Sequence, residues 1–177
     1  MPQLVFSLIR VRRRIGGRSR GVLLAGRHAI PVVLGRAGIA ADKREGDGAT
    51  PRGRFRLVRL WWRADRAPRP PTRLPVRRID AAVAWCEDPA DRRYNRPFRR
   101  SASEPGDRLW RGDRLYDIIV EIDHNVRPRI AGRGSAVFVH VARPGFAPTA
   151  GCIALKPHDL RMLVRRLSLK TRIKIHN

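Results

Sequence analysis

Apolar and polar residues alternate in short runs along most of the chain, the period-two signature of half-buried β-strands. Leu115 to Ile122 shows it best, with Tyr116, Ile118 and Val120 on one face and Asp117, Ile119 and Glu121 on the other. Comparable runs occupy residues 4–14, Val22 to Leu24, His28 to Leu34, Phe55 to Leu60 (closed by Trp61 and Trp62), Ala136 to Val141 and Thr171 to Ile175. Turns are marked by Gly16-Gly17, Ala25-Gly26-Arg27, Asp47-Gly48 and the pair Gly132 and Gly134. Only Pro157 to Leu167 has a helical repeat: Leu160, Leu163, Val164 and Leu167 fall at i, i+3, i+4, i+7, and Pro157 suits the first turn. The pattern predicts one mainly β domain over residues 1–177 with one or two short helices. The strand ending at Ile122 is expected to pair with the one starting at Ala136 and so to bring His124 and His140 into one region.

Two stretches lack a period. Ala64 to Pro75 holds four prolines and reads as an extended loop. Trp85 to Asp107 is the longest aperiodic run and contains Tyr94, Asn95 and Arg96. Loops of that length in compact domains serve as lids or as packed Ω-like loops. As a lid it would use Tyr94 and Asn95 on a ligand; as an Ω-like loop it would be packed by Trp85, Tyr94 and Phe98.

Composition narrows the function. A chain of 177 residues with 42% hydrophobic content can bury a core without staples. Its 39 basic and 15 acidic residues give +24, and all but Lys43, Lys156, Lys170 and Lys174 of the basic ones are Arg. Such a surface is either solvated arginine or a seat for polyanions, an anionic envelope surface included. No zinc-finger spacing or aromatic RNA-binding motif points to a specific nucleic acid. The Gly-rich segment before Gly53 lacks the pattern of a phosphate-binding loop. No run is long and apolar enough for a transmembrane segment, and MPQLVFSLIRVRRR has its apolar run before its charges, the reverse of a signal peptide.

The stretch VFVHVARPGFAPTAGCIAL, Val137 to Leu155, concentrates the candidate chemistry. It places a strand histidine, His140, twelve residues before Cys152, which follows Gly151 at the entrance to a further apolar run. An imidazole can take a thiol proton, and a glycine lets backbone N–H groups approach a substrate carbonyl. Thr149 is positioned to fix the loop through its hydroxyl. Two other readings share these residues: a Cys₂His₂ zinc site from His124, His140, Cys86 and Cys152, without the close ligand pairs that usually support one, and a basic nucleic-acid-binding module with an inert Cys152. Cys86 reads as a small buried hydrophobe, and His28 as a strand-edge histidine.

HVARPGFAPTAGCIAL resembles the signature of the L,D-transpeptidase catalytic domain family (YkuD). DKREGDGATPRGRFRL from Asp42, AWCEDPADRRYNRPF from Ala84 and LWRGDRLYDIIVEIDHNVRP from Leu109 resemble a branch of small single-domain proteobacterial members. The four segments run in the family's order over roughly residues 30–177. Three features depart: the family's His before Gly-Cys is Ala150 here, its Arg two residues after the Cys is Ala154, and the spacing from His140 to Cys152 is shorter than the usual one. The resemblance implies a β-sandwich-like fold and no metal or organic cofactor. It implies that Cys152 is the nucleophile, that His140 is its base, and that peptidoglycan stem peptides are donor and acceptor. Gly151, Thr149 and His124 would support the site or its oxyanion, and Tyr94, Asn95, Arg96 and Arg143 would bind substrate. The product would be a 3–3 cross-link or a variant involving L-Ala, and hydrolysis of stem peptides is the alternative. A periplasmic or envelope location is expected from that function, although no leader is readable.

Overall fold

The computed structural model describes residues 4–177. In chain order the strands are β1 (Leu8–Arg13), β2 (Arg20–Ala25), β3 (His28–Val33), β4 (Ile39–Ala40), β5 (Thr50–Pro51) and β6 (Gly53–Trp62). There follow β7 (Val76–Arg78), β8 (Val83–Trp85), β9 (Pro97–Arg99), β10 (Asp107–Arg108), β11 (Ile118–Ile122), β12 (Phe138–Val141) and β13 (Ile153–Leu155). The helix α1 (Pro157–Val164) precedes the last strand, β14 (Arg172–His176). The alternating runs become strands because each presents one apolar face: in β1, Ile9 and Val11 are buried while Arg10 and Arg12 are exposed.

The pairings run β11-β12-β13-β3-β2-β1-β14-β6 and return from β6 to β11, so the sheet closes on itself, with β7 as an extra strand on β6. β6 is long enough to serve both halves. Gly53 to Arg56 pair with β14, and Leu57 to Trp62 pair with β11 across a bulge near Glu121. The two layers expected of a sandwich are the two sides of one closed sheet. Its interior is filled by Ile9, Val11, Leu23, Leu57, Leu60, Ile118, Val120, Val139, Ile153, Leu155, Ile173 and Ile175, the dense filling expected of a ring of about eight strands.

The predicted helix is present but stops at Val164, three residues early; the chain tightens there, yet Leu167 remains buried with Leu160, Leu163 and Val164. Of the stretch expected to be an extended loop, residues 64–67 instead form a turn, closed by the Arg66 and Ala67 N–H groups on the Arg63 C=O, and residues 68–75 run on without helix. The aperiodic stretch 85–107 is not structureless: β8, β9 and β10 form a small sheet in the order β10-β8-β9. Strands of two or three residues are too short to show alternation. This unit packs Val83, Trp85, Leu109 and Tyr116 against Trp61, Ile119 and Phe138 on the outside of the ring, a second core. Tyr116 therefore sides with Ile119, not with Ile118 and Val120, because it lies in the turn before β11 begins.

β11 and β12 pair as expected, but antiparallel, with His140 opposite Ile119 and Phe138 opposite Glu121. His124, beyond the far end of that ladder, is carried away from His140. The expected meeting of the two histidines does not occur.

Candidate active site

Two neighbouring strands build the site. β12 projects His140 outward beneath the small sheet, and β13 runs parallel to it with Ala154 opposite His140. Cys152 immediately precedes β13 and its side chain packs into the outer core. Its Sγ accepts the Phe138 N–H at 3.3 Å and donates its proton to the Ala136 C=O at 3.2 Å.

The turn ahead of the cysteine is held by Thr149, whose Oγ1 donates to the Cys152 C=O at 2.6 Å and accepts the Gly151 N–H at 3.1 Å. Gly151 has φ +146°, and a Cβ there would lie 2.8 Å from the Ala49 carbonyl oxygen. No other residue fits that approach.

His140 donates Nδ1–H to the C=O of Val141 at 2.8 Å, which leaves Nε2 unprotonated. Burial pushes its pKa down to about 4, opposed by the bond to Val141 and aided by Arg111 and Arg143. Tyr116 meets the imidazole edge-on at 5.4 Å. Burial pushes the Cys152 thiol up to about 12, opposed by the Phe138 N–H and aided by Asp107 and Glu87. The side chain is only half-buried, so that value is a ceiling. At rest the pair is neutral.

Both groups line one cleft of about 780 Å³. Arg36, Lys43, Arg111 and Arg143 bring positive charge to its walls, and Glu45, Glu87 and Asp107 bring negative charge. Lys43 is buried; its Nζ donates to Asp47 Oδ1 at 2.6 Å and to the Arg44 C=O at 2.5 Å. Its Cε lies 3.6 Å from where a Gly151 Cβ would be, and its charge lowers the Cys152 pKa. Asp107 accepts the Tyr116 hydroxyl at 2.8 Å and pairs with Arg111 at 3.5 Å. Glu87 is an exposed residue, but removal from water in the cleft, with Asp107 and Glu45 nearby, pushes its carboxyl up to about 7. Its open flank makes that, too, an upper value.

Of the residues singled out in the sequence, Cys152, His140, Gly151, Thr149 and Arg143 meet on the cleft. Tyr94, Asn95, Arg96 and His124 are not on its walls. The Tyr94 hydroxyl donates to Glu45 Oε2 at 2.5 Å and accepts the Gly134 N–H at 3.0 Å. Asn95 Oδ1 accepts from Trp85 Nε1 at 3.0 Å and from the Ala136 N–H at 3.2 Å, while Nδ2 donates to the C=O of His124 and of Asn125. Every polar atom of these two side chains is taken by protein. They pack the loop, and they also brace Ala136, whose φ of +49° is strained for alanine. Arg96 is exposed. His124 lies 3.0 Å from the Arg133 C=O through Nε2 and edge-on to Phe55.

The zinc reading finds no support in the packing. Among the described residues no three His, Cys, Asp or Glu side chains converge as ligands, and Cys86 and Cys152 are separate free thiols. Lys43, Arg36, Arg111, Glu87, Asp107 and Ala136 escaped the sequence reading. For Lys43 a signal existed: it is one of four lysines in an arginine-rich chain and lies inside the DKREGDG segment.

No curated protein and no solved structure matches the chain. The family profile of the L,D-transpeptidase catalytic domain, YkuD, matches residues 19–175, and that span takes in the ring from β2 onward, the small outer sheet and the whole cleft, while β1 precedes it. The chain belongs to the L,D-transpeptidase catalytic domain family.

Proposed function

We propose that the protein is a cysteine L,D-transpeptidase that acts on peptidoglycan stem peptides in the cell envelope. One observation carries the reading: Cys152 and a neutral His140 with a free Nε2 open onto a single charged cleft. Substrate entering the cleft draws the thiol off the Ala136 C=O, and His140 Nε2 takes the proton as sulfur attacks the carbonyl of an L-centre. The tetrahedral oxyanion falls to backbone N–H groups at the turn; the Gly151 N–H contributes only after release from Thr149. The imidazolium gives its proton to the departing D-residue amine, leaving a thioester on Cys152. A second stem peptide attacks through its amine and restores the free thiol.

The cleft charges suit such substrates. Arg36, Arg111 and Arg143 match stem-peptide carboxylates. Arg111 and Arg143 lie near His140, whose strand partner is Ala154.

The test is mass spectrometry of disaccharide-tetrapeptide and -pentapeptide incubated with wild type and with Cys152→Ala. Dimers from wild type alone are expected, and fragmentation places the new bond at the 3–3 or the L-Ala-linked position. Hydrolysed monomers alone would make the protein an L,D-peptidase. Absence of any change with folded wild type would sink the proposal.

A further inference from the structure

The acidic residues are unevenly placed. All of them lie in residues 42–47, in 65–123 or at 159; residues 1–41, 48–64 and 160–177 contain none, against 8, 5 and 6 basic residues respectively. The fold brings these three segments together as β1, β2 and β3, the first half of β6, and β14, all adjacent in the ring.

Register then stacks the charges. Arg10 of β1 lies opposite Lys174 of β14, which lies opposite Arg54 of β6. One step along, Arg172 faces Arg56; on the other side Arg12 faces His176. Paired residues project to the same face, about 4.8 Å apart across strands and about 7 Å apart along them. Like charges directly opposite one another destabilise a sheet. Among the described residues Arg10, Arg12, Arg54, Arg56 and Lys174 form no ion pair. Arg172 turns to the backbone C=O of Leu169 and Thr171.

The same face carries apolar groups. Val22 and Leu24 of β2 stand half-buried opposite Arg12 and Arg10. Large exposed hydrophobics bracket the strands: Ile15 at the β1–β2 turn is fully exposed among Arg13, Arg14 and Arg18, and Leu4 and Leu169 at the other end are 81% and 53% exposed. Cations interleaved with exposed aliphatics suit a lipid interface, where the charges meet headgroups and the aliphatics enter the acyl boundary. No outward Trp, Tyr or Phe on these strands offers a base-stacking platform, which disfavours single-stranded nucleic acid.

We propose that the outward face of β1, β14 and the first half of β6, with Ile15 at its tip, docks onto the headgroup plane of an anionic lipid bilayer. In the ring order β12 and β13 lie across from β1 and β14, so docking leaves the cleft facing away from the lipid. The proposal is independent of the chemistry assigned to the cleft.

Flotation of the full chain with phosphatidylglycerol–phosphatidylcholine vesicles tests it, with pure phosphatidylcholine as reference. Wild type is expected to float only with the anionic vesicles. The triple variant R10Q/R54Q/K174Q should lose affinity on the order of 100-fold, while R92Q/R108Q/R127Q, with the same charge removed from exposed positions elsewhere, should stay within a few-fold of wild type. Ile15→Ser should weaken binding further. The sheet-face triple should melt no lower than wild type, because it relieves repulsion, so a loss of binding is not a loss of fold. Equal losses in both triples, or flotation equal with neutral vesicles, would overturn the proposal. So would single-stranded DNA displacing the protein from vesicles at equal phosphate concentration.

Discussion

The Cys152 thiol is held by a backbone carbonyl, and His140 is too buried to accept a charge readily. No thiolate–imidazolium pair exists at rest, and activation waits for substrate. This has a consequence for pH. His140 must be neutral to act as base, and its pKa is pushed down to about 4, so protonation removes activity only as pH falls through that value. The thiol, pushed up toward about 12, adds no limb in the working range. Of the cleft carboxyls, burial raises both Asp107 and Glu87, and Glu87 is raised to as much as about 7. The kcat/KM profile is therefore expected to be flat from about pH 5 to 9 except for one inflection at or below 7 that Glu87→Gln abolishes. A limb near 6.5 that survives in Glu87→Gln would mean that His140 titrates as an ordinary histidine. Cys152, His140 and Thr149 were legible in the sequence because their chemistry is tied to local spacing. Asp107 was not, since what makes it part of the site is approach across the fold; Lys43 stood out only as a rare lysine inside the DKREGDG segment.

At the level of elements, long periodic runs declared themselves and short ones did not. The ladder of β11 and β12 and the buried stripe of α1 follow from alternation and from the 3.6-residue repeat. β8, β9 and β10 have three residues or fewer each, so no periodicity could mark them. Their sheet is held to the ring by Asn95, which is why a residue read as a ligand contact is a structural hub instead. Asn95→Ala leaves the Trp85 and Ala136 N–H groups and two carbonyls without partners. Stranding buried groups of this kind costs about 2–4 kcal/mol, or a fall of about 10 °C in Tm for a domain of this size. Turnover should fall further than stability accounts for, because the strained Ala136 that positions the thiol loses its brace. Calorimetry and turnover at a temperature where both proteins are folded check the two parts. An unchanged Tm would return Asn95 to the substrate-binding role that the family resemblance implies for it.

For the molecule as a whole, what matters most is which strand pairs with which, and alternation is silent on that. The mainly β character and the hairpin of β2 and β3 were legible; closure was not, because it depends on β6 offering one edge to β14 and the other to β11. Arg56 marks the change, pairing across to Arg172 while its C=O accepts the Asp123 N–H. β14 is the piece that joins the two halves: it lies between β1 and β6 and sends Ile173 and Ile175 into the interior. A chain ending at Lys170 loses both isoleucines, worth about 1.5–3 kcal/mol each in burial. It also exposes two unpaired strand edges where the ring was closed. Against a net stability of about 5–15 kcal/mol for a domain, that loss should abolish cooperative unfolding and near-ultraviolet circular dichroism, whereas Ile173→Val should cost only about 1 kcal/mol. If the shortened chain still melts cooperatively, β1 and β6 have rejoined without β14. Closure would then be a property of the other strands, and the basic face would owe its charge grid to two strands instead of three.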